Sequence, residues 1–121
     1  MIKTSELIWQ DTQHQMLFKY IDLITAEPFD RTILAKLHTY AEYHFVLEEA
    51  YMEALNDPDM NAHKNAHDRF RDELKLMVGS SPIATTELRE SLALFLTEWL
   101  KRHVFGIDKK LEKLILDSKV K

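Results

Sequence analysis

The chain has 121 residues, no cysteine, and a formal net charge of −4 from 16 basic and 20 acidic side chains. That length suits one domain, residues 1–121, whose core needs no disulfides; the absence of cysteine excludes thiolate ligation and a cysteine nucleophile, and the acidic balance argues against a nucleic-acid partner. No apolar run reaches the ~18 residues of a membrane span, and the N-terminus lacks the basic-then-apolar order of a secretory leader, so the expectation is a cytoplasmic protein without membrane insertion.

Pro28, Pro58 and Pro82 divide the chain into four long parts. In the first, residues 9–26, Leu17, Tyr20, Ile21 and Ile24 recur at helical spacing. The second opens after Pro28-Phe29-Asp30, with Asp30 expected as N-cap, and continues to residue 55. Its inner stripe is Ile33, Leu34, Leu37, Tyr40, Ala41, His44, Phe45, Glu48 and Met52. Asn56-Asp57-Pro58-Asp59 is a turn cluster. The third, residues 61–79, carries His63, His67, Phe70, Leu74 and Met77 inward and ends at Gly79, a good C-cap residue. Ser80-Ser81-Pro82 reads as loop. The fourth opens at Thr85 or Thr86 and runs through Leu92, Phe95, Leu96, Trp99 and Leu100 to His103. On a continuous helix His103 and Asp108 would point ~140° apart, so the helix is expected to end near Gly106. Asp108 then begins a short helix over residues 109–117. The predicted fold is all-α, an up-down-up-down four-helix bundle with a short C-terminal helix.

Five of the six histidines fall into a pattern with two carboxylates: His14, His44-x3-Glu48, His63-x3-His67 and His103-x4-Asp108. Residues four apart on a helix lie ~40° apart in direction and ~6 Å apart along the axis. His44 and Glu48 therefore share a side, as do His63 and His67, and each pair continues an apolar stripe. Ionisable groups aimed into a core need partners, and a metal supplies one. Imidazoles and carboxylates without thiolate suit iron, manganese, zinc or copper. Two octahedral metals offer about twelve positions; the five imidazoles, two bridging carboxylates and a bridging oxo or hydroxo group fill about eleven, leaving one open. Each pair alone is a weak signal. One set per predicted helix, always on the inner stripe, is a strong one.

The strings Asp11-Thr-Gln-His14-Gln, His44-Phe-Val-Leu-Glu48-Glu, His63-Lys-Asn-Ala-His67 and Trp99-Leu-Lys-Arg-His103-Val-Phe-Gly-Ile-Asp108 resemble the hemerythrin family, in particular its single-domain bacterial members. The resemblance spans residues 9–116. It implies two iron ions per chain, oxo- or hydroxo-bridged, and dioxygen as the ligand, bound reversibly for transport, storage, delivery or sensing rather than for enzymatic turnover. It further implies that His63, His67 and His103 hold one iron and His14 and His44 the other, with Glu48 and Asp108 bridging. Phe45, Trp99 and Leu100 would then form the dry wall of the oxygen pocket. A di-iron enzyme acting on peroxide or nitric oxide, or an iron-donating repair protein, is the alternative; a helical module with incidental histidines is the plain one. No protein partner is indicated. The chain departs from many relatives at Asp57-Pro58, where they have Tyr-Pro, and at Leu111, where they often carry an aromatic residue.

Other residues have plainer readings. His38 lies ~120° off the direction of His44 and is expected to take no part. Core packing alone also accounts for Phe45, Trp99 and Leu100. Met16 and Met52 are expected as core fillers, Glu49 as a solvated acid, and Lys109, Lys110 and Lys113 as a solvated face. Asp11 is either a partner of a ligand or an acid in a first helical turn.

Overall fold

The computed structural model describes residues 2–79 and 85–118, without the side chains of 77–79. Its helices are α1 (Ile8–Asp22), α2 (Ile33–Ala54), α3 (Met60–Gly79), α4 (Thr86–Val104) and α5 (Ile107–Asp117), with a single 3-10 turn at Leu23–Thr25 after α1. No strand occurs among the described residues. Each long helix packs on its neighbour in sequence, and α1 closes the bundle against α4. Short connections between packed neighbours make them antiparallel, which is the up-down-up-down arrangement.

The order of apolar and polar residues along each helix follows from that alternation. In α1 and α3 the histidines come early and the buried aliphatics late; in α2 and α4 the order is reversed. Antiparallel packing therefore gathers every donor at one level. On one side lies a large apolar cluster that includes Leu17, Ile21, Leu37, Phe45, Phe70, Leu74, Leu96 and Leu100. On the other lies a smaller one, formed by Leu7, Met52, Leu111 and Ile115. Each fully buried aliphatic or aromatic side chain stabilises the fold by roughly 1.5–3 kcal/mol. Together they offset a polar layer that would not fold alone.

The helix ends differ from expectation in small, explicable ways. Thr32, not Asp30, is the N-cap of α2. The Asp30 carboxylate instead accepts from the Thr32 backbone N–H at 2.8 Å and its hydroxyl at 2.6 Å, shaping the turn two residues earlier. The end of α2 is a Schellman motif. Asn56 takes the left-handed conformation at φ 52°, and the N–H groups of Asn56 and Asp57 donate back to the carbonyls of Glu53 and Met52. Thr85 caps α4, its hydroxyl accepting from the Leu88 N–H at 3.2 Å. Asp108 sits inside the first turn of α5, which starts two residues sooner than expected. Phe95 is 46 % exposed and does not belong to the inner stripe. The inward placement of Met77, the cap expected at Gly79 and the loop at residues 80–82 lie outside the described residues.

Gly106 is required by close packing. A Cβ there would lie 2.5 Å from the carbonyl oxygen of Arg102, a backbone atom that cannot rotate away. The chain turns at Phe105 and Gly106, and that turn brings Asp108 back towards the bundle axis. Gly106→Ala is therefore expected to lower the stability of the metal-free protein by about 1–3 kcal/mol in denaturant unfolding, the cost typical of overpacking. An unchanged midpoint would show that the corner is not tight.

Candidate metal centre

One inward side chain comes from α1 (His14), two from α2 (His44, Glu48), two from α3 (His63, His67), one from α4 (His103) and one from α5 (Asp108), and all seven are buried. Their donor atoms form two overlapping groups. Glu48, His63, His67, His103 and Asp108 each offer an atom within 4.8 Å of the others, as do His14, His44, Glu48 and Asp108. The carboxylates belong to both groups. Asp108 Oδ1 faces His63 Nε2 at 2.7 Å and His103 Nε2 at 3.0 Å, while Oδ2 faces His14 Nε2 at 3.0 Å. Glu48 Oε1 lies 3.1 Å from His67 Nε2 and 3.3 Å from His44 Nε2.

Hydrogen bonds on the far side of three rings fix which nitrogen is free. Asp11 Oδ1 accepts the Thr4 hydroxyl at 2.8 Å, so the Thr4 oxygen is left to accept from His14 Nδ1–H at 2.9 Å. Gln13 Oε1 accepts from His44 Nδ1–H at 2.6 Å. Glu49 Oε2 accepts from His67 Nδ1–H at 2.8 Å. Each partner takes the Nδ1 proton, so Nε2 is the nitrogen that faces the centre and the one a metal would take. Rings pack the same histidines in place: Phe45 stacks on His67 at 4.0 Å between centroids, and Trp99 on His103 at 4.6 Å.

The electrostatics are those of a site built around positive charge. Burial pushes the Glu48 and Asp108 carboxyls up, and the surrounding imidazoles outweigh it, holding both well below the ordinary range. Burial likewise pushes His14 down, but its contacts with Asp108 and Glu48 win and raise it to about 9. His67 is raised against burial by Glu48 and Glu49, whereas burial prevails at His103 and lowers it. Nε2 of His14 and His44, Oε1 of Glu48 and Oδ2 of Asp108 are buried at the centre without a well-aligned hydrogen bond, although His14 Nε2 and Asp108 Oδ2 lie 3.0 Å apart. A buried polar atom left so costs about 1–3 kcal/mol. Four converging on one point, from imidazoles and carboxylates, fit one or two cations of the borderline transition-metal kind.

Several residues of this outer layer escaped the sequence reading. Glu49 is not a solvated acid: its side chain is 17 % exposed, and it joins His67 to Arg71. Burial would raise it, but His67 and Arg71 hold it near a pKa of about 2. Arg71 grips it through both terminal nitrogens, at 3.0 and 3.2 Å, and also meets Glu42 and Asp68. Gln10, fully buried, donates its amide N–H to Glu48 Oε2 at 2.7 Å. Asp11 reaches His14 only through Thr4. The spacing of Arg71 four residues after His67 was a usable signal; nothing local pointed to Thr4 or Gln10.

The remaining residues fall as follows. His38 lies in a surface groove of α2 with Tyr43 and Val46 and in neither donor group. Leu100 is fully buried one turn before His103, and Trp99 is half-buried. Met52 is fully buried in the smaller apolar cluster, whereas Met16 is half-buried at the surface beside Asp11 and Gln15. Leu111 packs fully buried beside Met52. Lys109 pairs with Glu112 at 3.1 Å and Lys113 with Asp117 at 2.8 Å.

Fold and donor set together define a class: an all-α bundle whose axis carries histidines and shared carboxylates able to hold cations. The chain belongs to the hemerythrin family, matching the "Hemerythrin HHE cation binding domain" over residues 8–115. It is 30 % identical to a myohemerythrin of Theromyzon tessulatum over 110 residues, 89 % of this chain and 86 % of that protein. It is 32 % identical to a myohemerythrin of Riftia pachyptila over 100 residues, 83 % and 78 % of the two chains. A bacteriohemerythrin of Methylococcus capsulatus is 27 % identical over 105 residues, covering 82 % and 80 %.

Two outcomes test the centre. His67→Ala and Glu48→Ala should lose bound metal by elemental analysis of the folded protein, and His38→Ala should retain it; equal loss from all three would refute the donor assignment. Because His14 carries a proton at pH 7 in the metal-free protein and a ligating nitrogen cannot, metal uptake should release protons. Binding heats measured in two buffers of different ionisation enthalpy would then differ, and identical heats would count against the protonated His14.

Proposed function

We propose that this protein, acting as one domain over residues 1–121, binds dioxygen reversibly at a pair of iron ions. The observation that carries the reading is the unequal division of donors, with three imidazoles in one group, two in the other and both carboxylates shared. His63, His67 and His103 would hold one iron, His14 and His44 the other, and Glu48 and Asp108 would bridge. The irons, when bound, supply the electrons that oxygen binding draws on, and the group with fewer imidazoles leaves room for a small ligand.

The protein's own residues account for the rest of the chemistry. Glu49, Gln13 and Thr4 hold imidazole protons outward, so that Nε2 is the donor in each case. Phe45, Trp99 and Leu100 would form the apolar wall of the oxygen pocket: Phe45 and Trp99 are fixed by stacking on His67 and His103, and the Phe45 ring also lies 5.8 Å from that of His44. Such a wall excludes water and disfavours the escape of charged products, which suits a carrier rather than an enzyme. No described helix is long and apolar enough to cross a membrane; we place the protein in the cytoplasm, with dioxygen as its partner.

The test is anaerobic reduction of the purified, iron-loaded protein, followed by addition of oxygen while visible absorption is recorded. Two irons per chain, and an absorption band that appears with oxygen and vanishes on its removal, are expected. Irreversible oxidation with consumption of peroxide or nitric oxide would assign an enzyme instead. Fewer than two irons per folded chain would overturn the di-iron reading itself.

A further inference from the structure

Residues 2–7, ahead of α1, have no regular structure, yet Thr4 and Ser5 are almost fully buried, at 1 % and 2 % exposure. A segment buried only for packing would be apolar. Here Thr4 and Ser5 each form a bond leading towards the metal centre, and Glu6 ties the segment to α5. The Thr4 hydroxyl accepts from His14 Nδ1–H and is itself held by Asp11. The Ser5 hydroxyl lies 2.7 Å from Gln10 Oε1, which turns the amide nitrogen of Gln10 onto Glu48 Oε2 at 2.7 Å. The backbone N–H of Glu6 donates to the Glu112 carboxylate on α5, with Ser5 Oγ 3.1 Å from the same oxygen.

We propose that residues 4–6 are a positioning strap for the two-histidine half of the centre, fastened at its far end by Glu112. The strap acts on His14 directly and on Glu48 through Gln10. Among the described residues it forms no hydrogen bond to His63, His67 or His103. The His67 half is supported from within α2 and α3, by Glu49 and Arg71. Loss of the Thr4 hydroxyl therefore weakens the position His14 serves and leaves His63, His67 and His103 held as before, whereas the Ser5–Gln10 arm acts on Glu48, which both donor groups share. Glu112 makes the dependence reach α5, the helix that also carries Asp108.

The inference rests on the two-metal reading above, and its test separates the two. Wild-type protein and the Thr4→Val, Thr4→Ser, Glu112→Leu and Glu112→Gln variants are titrated anaerobically with Fe(II), and with Co(II) as an absorbing probe. Serine keeps the hydroxyl and glutamine keeps an accepting oxygen. Thr4→Val should weaken one of two bound ions by about 10–100-fold, the usual size of an effect transmitted through a ligand's hydrogen-bond partner, and Glu112→Leu, which also reaches the shared Glu48, should weaken that same ion most. In Thr4→Val the other ion should bind as in wild type, and Thr4→Ser and Glu112→Gln should bind both. A purely structural strap would weaken both positions alike, and that result overturns the proposal. So does wild-type binding in the valine and leucine variants, or failure of the conservative pair to rescue. Fewer than two ions on wild-type protein overturns the two-metal reading and the strap with it.

Discussion

Two carboxylates buried within reach of the same imidazoles set the terms for this molecule. Glu48 and Asp108 are each at most 1 % exposed, and Asp108 feels the charge of Glu48 as a push towards protonation. Like charges in a low-dielectric interior are tolerable only beside positive charge. Imidazolium supplies it in the metal-free protein, most clearly at His14. A bound metal would supply it more strongly, because several donors would share one cation. His14 and His67, both raised by these carboxylates, are thus their counter-charge in the metal-free protein.

The bundle accommodates this layer by enclosing it. The larger apolar cluster lies on one side and the Met52, Leu111 and Ile115 cluster on the other. Apolar surface excludes water from the donors and strengthens each electrostatic contact between them. The corner at Gly106 completes the enclosure. Without it α4 would continue, and Asp108 would point away from His103 rather than lie 3.0 Å from it.

Order spreads outward from the centre through hydrogen bonds of alternating sense. His67 donates to Glu49, and Glu49 accepts from Arg71, whose guanidinium lies 5.2 Å over the Phe45 ring that in turn stacks on His67. His14 donates to Thr4, and Thr4 to Asp11. Each chain ends in a charged group nearer the surface, where solvent stabilises it. Rings held on two sides keep a single rotamer and tautomer. That is the pre-organisation a metal site needs if its geometry is not to be reassembled at each encounter.

Much of this was legible in the sequence because helices are periodic. The spacing of His44 and Glu48, and of His63 and His67, places each pair on one face whatever the rest of the chain does. The order of histidines and aliphatics along successive helices already implies antiparallel packing with donors at one level, and Gly106 marks the break that Asp108 needs. Periodicity says which face is buried but not where its edge lies, so Phe95, beside the buried Leu96, was assigned wrongly. It is silent on partners that come from another element. Ser5 and Glu112 are 107 positions apart, and Arg71 meets Glu49 across two helices. Local spacing put His44 with Glu48 and His63 with His67 on inner faces, and the joint pattern of histidines and carboxylates singled out His14, His103 and Asp108 beside them. Tertiary packing decided which oxygen faces which ring, which nitrogen of each histidine is free, and which side chains hold them, because those depend on distances between helices that no repeat along one helix encodes.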